Sequence, residues 1–264
     1  MKFEGKTFWI TGASSGMGKS VAIALSKFKT RIIISDIDTK GLEETASLIK
    51  KNHSTVRIEQ LDMSDNENII TTAKRVLDDG ENIVGLYQFA GISQRSLVVE
   101  TPIENDRKIM EINFFGVVTL TKAILPFMIK NGGGQLVAAS SLVGKFGFPY
   151  RSAYSASKHA LHGFFETVLA ENHKNKIKVS MIIGGRIKTN ISKFAIDKDG
   201  KAHGKMDAGQ AKGITPEKAA QQIIKGLSKD KKEILVGGSE LLILKIRKYF
   251  PGLHYRIARK IKPM

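Results

Sequence analysis

A tyrosine and a lysine stand four residues apart in Tyr154-Ser155-Ala156-Ser157-Lys158. On a helix, positions i and i+4 share a face, which would set a phenol beside an ammonium. Ser141 lies thirteen residues upstream of the tyrosine, just beyond the apolar run Gln135 to Ala139. A phenol, an ammonium and a hydroxyl that converge would move a proton to or from a substrate oxygen. The competing reading of Tyr154 and Lys158 is an ordinary pair on a helix surface.

The elements that must position these groups alternate along the chain. Thr7 to Thr11 reads as a buried strand, and Gly12-Ala13-Ser14-Ser15-Gly16-Met17-Gly18 follows it. A helical pattern comes next, with Val21, Ala22, Leu25 and Phe28 on one face. Strand, glycine turn and helix form the context of a dinucleotide site. Gly12 permits the tight turn, Gly16 lets backbone approach a pyrophosphate, and Gly18 lets the helix pack close. The helix N-terminus offers free N–H groups and a positive dipole end.

Arg31 to Ser35 is a second buried strand, ended by Asp36. A carboxylate there accepts hydrogen bonds from the adenosine ribose and repels a 2′-phosphate, which favours NAD over NADP. A helix N-cap or turn Asp is the alternative for Asp36, and nearby Arg31 and Lys40 would weaken the discrimination. Helix 40–51, strand 56–60 and helix 65–78 follow. Asp62, after the strand, is placed either to reach an adenine or to cap the helix. Strand 83–89 ends in Ala90-Gly91. A helical region covers 103–130, with an expected break near Pro126. Its internal Asn113 and Gly116 would be odd in a purely structural helix. Strand 135–139, helix 152–172, strand 177–183, helix 215–228 and strand 233–236 complete the pattern. It predicts a doubly wound parallel sheet with ligands at the strand C-termini. The polar, glycine- and lysine-rich stretch 192–214 reads as a mobile lid over the substrate pocket.

Together, Thr11-Gly12-x-x-x-Gly16-x-Gly18, Asn113, Ser141 and Tyr154-x-x-x-Lys158 resemble the short-chain dehydrogenase/reductase family over nearly the whole chain. From about residue 86 onward, the chain is similar to that family's dehydrogenase/reductase seventh-member branch. Ile92-Ser93-Gln94-Arg95-Ser96, Ala156 to Ala160 and Phe250-Pro251-Gly252-Leu253 carry this similarity. The resemblance implies a Rossmann fold, three layers deep, in one domain over 1–240. It also implies hydride exchange between a nicotinamide cofactor and a secondary alcohol or ketone. Tyr154 would be the general acid or base, Ser141 would orient the substrate oxygen, and Lys158 would favour the phenolate and hold the nicotinamide ribose. Asn113 would hold a water that links Lys158 to solvent. Cofactor contacts fall to Gly12, Ser14, Ser15, Gly16, Met17, Gly18, Asp36, Asp62, Met63, Ala90, Gly91, Tyr154 and Lys158, with Thr189 and the Ile187 backbone on the carboxamide. NAD is favoured by Asp36, and NADP(H) stays possible because the vertebrate relatives resemble NADP enzymes. A homodimer or homotetramer is implied. The chain departs from the family at Gln88 and Phe89, where two Asn are common, which puts cofactor affinity in question. It departs again at Gly184-Gly185 in place of Pro-Gly, where a looser loop is expected.

The 264 residues suffice for a sizeable core. The chain has no Cys, which excludes disulfides, a Cys-ligated metal and a Cys nucleophile and makes a reducing cytoplasm the default. No metal site is expected. No run of about 18 apolar residues and no secretory signal is expected. The net charge of +17 points to anions, but no nucleic-acid motif accompanies it, so nucleic acid is not an expected partner. Residues 241–264 hold seven Lys or Arg and no acid. Leu253, Ile257 and Ile261 recur there at four-residue spacing among Arg256, Arg259, Lys260 and Lys262. The segment reads as a basic interfacial helix, peripheral on the inner membrane face, or as a helix packed on the core or on a second subunit. Apolar residues Ile92, Leu97, Leu142, Phe146 and Phe148 suggest a small lipophilic carbonyl or alcohol. The alternative from another class is a non-catalytic nucleotide-sensing or membrane-associated binding protein.

Overall fold

The computed structural model describes residues 3–260. Strand β1 (Thr7–Thr11) is buried along its whole length. Successive side chains of a strand face opposite ways, so Phe8 and Ile10 enter one core and Trp9 the other. A strand covered on both faces needs this unbroken apolar run. The same holds for β2 (Arg31–Asp36), where Ile32 and Ile34 face one core and Ile33 the other.

The remaining strands are β3 (Thr55–Gln60), β4 (Ile83–Gln88), β5 (Gly134–Ser141), β6 (Ile177–Gly184) and β7 (Glu233–Val236). All seven pair in parallel, in the order β3-β2-β1-β4-β5-β6-β7. Helices α1 (Gly16–Ser26), α2 (Thr39–Lys50) and α8 (Pro216–Leu227) cover one face through Leu25, Leu42 and Ile223. Helices α3 (Asn66–Asp78), α5 (Gly116–Lys130) and α6 (Ser152–Glu171) cover the other through Ile69, Leu120 and Phe165. The result is the expected three-layer, doubly wound architecture. The chain leaves β1 towards β3 and returns on the other side at β4, so a crevice opens at the C-terminal ends of β1 and β4.

Three expectations need correction. The helical region 103–130 is not broken at Pro126; α5 runs through it. Ile124 and Met128, on either side, are fully buried, and this packing holds the helix where the proline amide cannot bond. The irregularity lies earlier, as a π turn at Glu111–Phe115 between α4 (Ile103–Met110) and α5. By length and composition alone, the helical run Ile103–Lys130 holds a stretch apolar enough to cross a membrane, contrary to the expectation that no segment is. Its inner residues Leu120, Ile124 and Met128 belong to the core. Arg31, finally, sits at the opposite end of β2 from Asp36 and pairs with Glu81 at 2.7 Å, too far away to weaken a choice between NAD and NADP.

Candidate functional site

The crevice is a cleft of about 670 Å³ lined by Gly12, Ser14, Ser15, Gly16, Met17 and Gly18 on one side. Gly12 has φ +69°, and a Cβ there would stand 2.5 Å from the Ala90 nitrogen. At Gly18 a Cβ would stand 2.2 Å from the Gly12 carbonyl oxygen. The turn therefore requires glycine at both positions, one for conformation and both for close approach. Asp36 lines the cleft at the end of β2; its carboxylate accepts from the Ser14 and Asp38 N–H groups, both at 3.2 Å. Asp36 does not cap α2, which Asp38 does, but it does make a turn, accepting the N–H of Asp38 two residues on. The N-cap alternative fails for Asp62, because Asp65 caps α3. Asp62 and Met63 line the cleft, as do Ala90, Gly91 and Thr189. Ile187 is buried in the core instead, and its carbonyl accepts from Thr189 and from the Gln210 side chain. Gly116, the odd glycine of the apolar helix, lets the start of α5 approach Met63, whose oxygen would lie 2.1 Å from a Cβ.

The departures from the family pattern act only in part as expected: Phe89 lines the cleft, where it bears on cofactor affinity. The Gln88 side chain turns into the core and donates to Thr121 at 2.8 Å; it is not part of the cleft lining. The Gly184-Gly185 loop is not loose. The Glu240 carboxylate occupies the space a side chain at 185 would need and accepts from the Arg186 N–H at 2.7 Å and the Gly238 N–H at 3.1 Å. Burial works against ionisation of Glu240, but these backbone donors outweigh it and hold the carboxyl below its ordinary range.

Ser141, Tyr154, Lys158 and Asn113 come together beside the cleft, at the end of β5 and the first turns of α6. The Ser141 hydroxyl acts on the Tyr154 phenol and donates to the Gly184 carbonyl at 3.4 Å. Lys158 Nζ lies 5.8 Å from the Tyr154 ring centroid and donates to the Ala139 carbonyl at 2.8 Å. A Cβ at Gly91 would stand 3.4 Å from Lys158 Nζ and 2.8 Å from Asn113 Oδ1, so Gly91 joins this group to the cleft. The Asn113 side chain is committed to protein: it donates to the Ile92 carbonyl and Ser157 Oγ and accepts from the Ile92 N–H. A water at this position would fall to its main chain.

Lys158, with its Nζ 5.8 Å from the ring centroid, is placed to favour the phenolate, and burial and two arginines act on the phenol as well. Burial pushes the Tyr154 phenol up, against the opposing charge of Arg151, the Ser141 hydrogen bond and the charge of Arg95. Burial likewise pushes Lys158 down to about 8. Besides Lys158, Arg151 and Arg95 are cations that favour the phenolate.

Sequence reading missed these arginines and their neighbours. Gln94 is fully buried, and its Oε1 accepts from the Ala153 N–H at 2.9 Å and the Tyr154 N–H at 3.4 Å. It satisfies the N-terminus of α6, where Arg151 at the cap position supplies no side-chain bond. Arg95 pairs with Asp207 through both carboxylate oxygens, at 3.1 and 2.6 Å, and Arg151 adds a bond to Asp207 Oδ2 at 2.8 Å. The stretch expected to be a lid is thus pinned at Asp207, just before α7 (Ala208–Ala211), and Gln210 ties it to Thr189 at 3.2 Å. Of the apolar candidates, Ile92 lines the cleft, but Phe146 is buried beneath the C-terminal helices against His254, with ring centroids 4.7 Å apart. Those helices, α9 (Leu242–Tyr249) and α10 (Pro251–Lys260), leave Leu242, Tyr249, Phe250, Leu253 and Tyr255 exposed. Ile261 and Lys262 of the expected stripe lie outside the described residues.

Residues 6–200 match the short chain dehydrogenase family. The chain is 38% identical over 257 residues to the dehydrogenase/reductase SDR family member 7B of Xenopus laevis, covering 94% of this chain and 79% of the relative. It is 36% identical to the Mus musculus protein of the same name, at 94% and 78% coverage. It is also 36% identical to the dehydrogenase/reductase SDR family protein 7-like of Drosophila melanogaster, at 98% and 81%. Among solved structures, a short-chain dehydrogenase from Streptomyces avermitilis superposes with TM-score 0.80 at 26% identity, covering 97% of this chain and 96% of that one. A short chain dehydrogenase/reductase from Burkholderia phymatum in complex with NAD gives TM-score 0.82 with 100% and 98% coverage; its 19% identity speaks for the fold alone.

Proposed function

The chain belongs to the short-chain dehydrogenase/reductase family, and we propose that it interconverts a secondary alcohol and a ketone with a nicotinamide cofactor, NAD in preference to NADP. The convergence of Ser141, Tyr154 and Lys158, with Gly91 in the cleft wall against Lys158 and Asn113, carries this reading. The cofactor would supply or accept the hydride when bound. Gly12 to Gly18 would hold its pyrophosphate, Asp36 its adenosine ribose, Asp62 and Met63 its adenine, and Thr189 with the Ile187 N–H its carboxamide. Lys158 would hold the second ribose. Tyr154 would move the proton at the substrate oxygen, and Ser141 would hydrogen-bond that oxygen. Because burial raises the phenol, the protein alone keeps Tyr154 protonated at neutral pH, the form that donates to a carbonyl. Screening lipophilic ketones and alcohols with NADH, NADPH and their oxidised forms tests the reading. Turnover with NADH above NADPH is expected, and Asp36→Ser should narrow the gap by at least about tenfold, roughly the loss of one charge-assisted hydrogen bond. NADPH preferred by the unaltered protein would refute the cofactor assignment.

The substrate in this reading is lipophilic, the working form is a homodimer or homotetramer, and 192–214 covers the pocket. Residues 241–264 would rest on the inner membrane face. The exposed apolar and aromatic side chains of α9 and α10, interleaved with Lys245, Arg247, Lys248, Arg256, Arg259 and Lys260, favour an anionic surface. Co-sedimentation with vesicles of phosphatidylglycerol and phosphatidylcholine should show binding that grows with the anionic fraction. Phe250→Ser combined with Leu253→Ser should weaken it, while unchanged binding would refute the membrane role.

A further inference from the structure

We propose that Arg95, Asp207 and Arg151 are positioning residues that set the charge felt by the Tyr154 hydroxyl, so that the pocket-covering segment and the proton-transfer group are electrostatically one unit. The inference rests on the proposed role of Tyr154.

The cluster joins three distant pieces of chain. Arg95 comes from the loop after β4, Arg151 from the residue before α6, and Asp207 from the covering segment. Arg95 and Asp207 are almost wholly buried, at 1% and 4% side-chain exposure, and Arg151 is mostly buried. Two guanidinium groups share one carboxylate, which leaves a net positive charge inside the protein. Uncompensated buried charge is costly, so a fold that keeps one invites a functional explanation. The excess lies on Arg151. Arg95 is fully engaged, with Asp207 on one edge and Ser93 Oγ and the Gln94 carbonyl, at 2.8 and 2.5 Å, on another. Arg151 holds Asp207 by one nitrogen and stacks over Phe148 at 5.0 Å, while its buried Nε finds no partner. Burial pushes Arg151 down to about 10, so it stays charged at neutral pH.

The phenol is three residues from this charge on the first turn of α6. The groups around it are Arg151 and Lys158 on α6 itself, Arg95 on the loop after β4, Ser141 on β5 and Asp207 behind the two arginines. Helix α4, packed on α6, carries Asp106, whose carboxyl burial pushes up and which is not among the groups acting on the phenol. Both arginine charges favour the phenolate. Asp207 opposes them by neutralising one charge of the pair. Removing the carboxylate and removing a guanidinium must therefore move the phenol in opposite directions, whereas a purely structural cluster would give no sign change.

The test places 3,5-difluorotyrosine at position 154 of the full-length protein and follows its ionisation by fluorine NMR without cofactor or substrate. Asp207→Asn should lower the midpoint by roughly one pH unit, and Arg151→Gln should raise it by a similar amount. Arg151→Lys should restore it to within a few tenths of a unit. Midpoints that stay in place, or that move the same way in both charge deletions, overturn the proposal. Should Asp207→Asn not fold, the Arg151→Gln and Arg151→Lys pair decides the sign alone. The readout needs no turnover, so failure here is separable from failure of the proposed reaction, which the Tyr154→Phe variant tests.

Discussion

Tyr154→Phe should lower turnover by about 10²- to 10⁴-fold, the range that a positioned proton donor contributes. The substitution removes one oxygen from a buried site. It takes away the hydroxyl that would protonate the substrate oxygen, together with its interaction with Ser141, and leaves the ring in place. Stability should fall by only about 1 kcal/mol, the net worth of one hydrogen bond. Cofactor affinity should change little, because Tyr154 stands beside the cleft formed by Gly12 to Gly18, Asp36 and Thr189 rather than in its wall. Fluorescence titration with NADH and a thermal melt separate these effects from the rate. The pH dependence adds a check of sign. Alcohol oxidation needs the phenolate, and burial raises the phenol, so oxidation should climb as pH rises. Ketone reduction needs the protonated phenol and should fall only as pH passes the phenol's pKa. Retained activity in Tyr154→Phe, or an oxidation rate that falls with rising pH, would remove Tyr154 from the chemistry.

What could be read from sequence divides along physical lines. The alternation of strands and helices was legible because it is local: Phe8, Trp9 and Ile10 declare a strand buried on both sides, and Val21 and Leu25 declare the face of a helix. The glycine turn and the Tyr154, Lys158 and Ser141 set were legible because their spacing is fixed by one turn or one crossover. The π turn at Glu111–Phe115 was not, since its cause lies in what Asn113 reaches, the Ile92 backbone and Ser157. Proline at 126 misled because propensity yields to packing. The Arg95–Asp207 pair spans 112 residues, and no periodicity announces such a contact. Gln94 was equally hidden: a glutamine that caps a helix beginning 58 residues later leaves no local trace. The arginine three residues before Tyr154 was in plain view, but its charge matters only because the fold buries it. The tail was legible as basic and amphipathic and its packing on the core stood as one of its readings, but Phe146 was read as a pocket residue rather than as what the tail covers.

Gly18→Ala should all but abolish nucleotide binding, and here the argument is steric. The added methyl carbon would lie 2.2 Å from the Gly12 carbonyl oxygen, 2.7 Å from its carbon and 3.2 Å from the Thr11 oxygen. All three atoms are backbone, so no rotamer relieves the clash. Relief requires α1 to move away from the turn that ends β1, by at least about 1.2 Å to reach ordinary contact distance. That shift misaligns the N-terminal N–H groups of α1 with any phosphate placed over Gly12 to Gly16. It also strains the packing of Val21, Ala22 and Leu25 in the core, at a cost of about 1–3 kcal/mol. NADH affinity should fall by at least about tenfold, with a lower unfolding midpoint. Gly163→Ala provides the contrast. This glycine is exposed in the middle of α6 with open space at its Cβ position. Alanine there should leave NADH binding unchanged and stabilise the fold by up to about 1 kcal/mol through helix propensity. If both variants bind NADH like the parent, the close contact of α1 with the Gly12 turn is not what shapes the nucleotide site, and the assignment of the cleft fails with it.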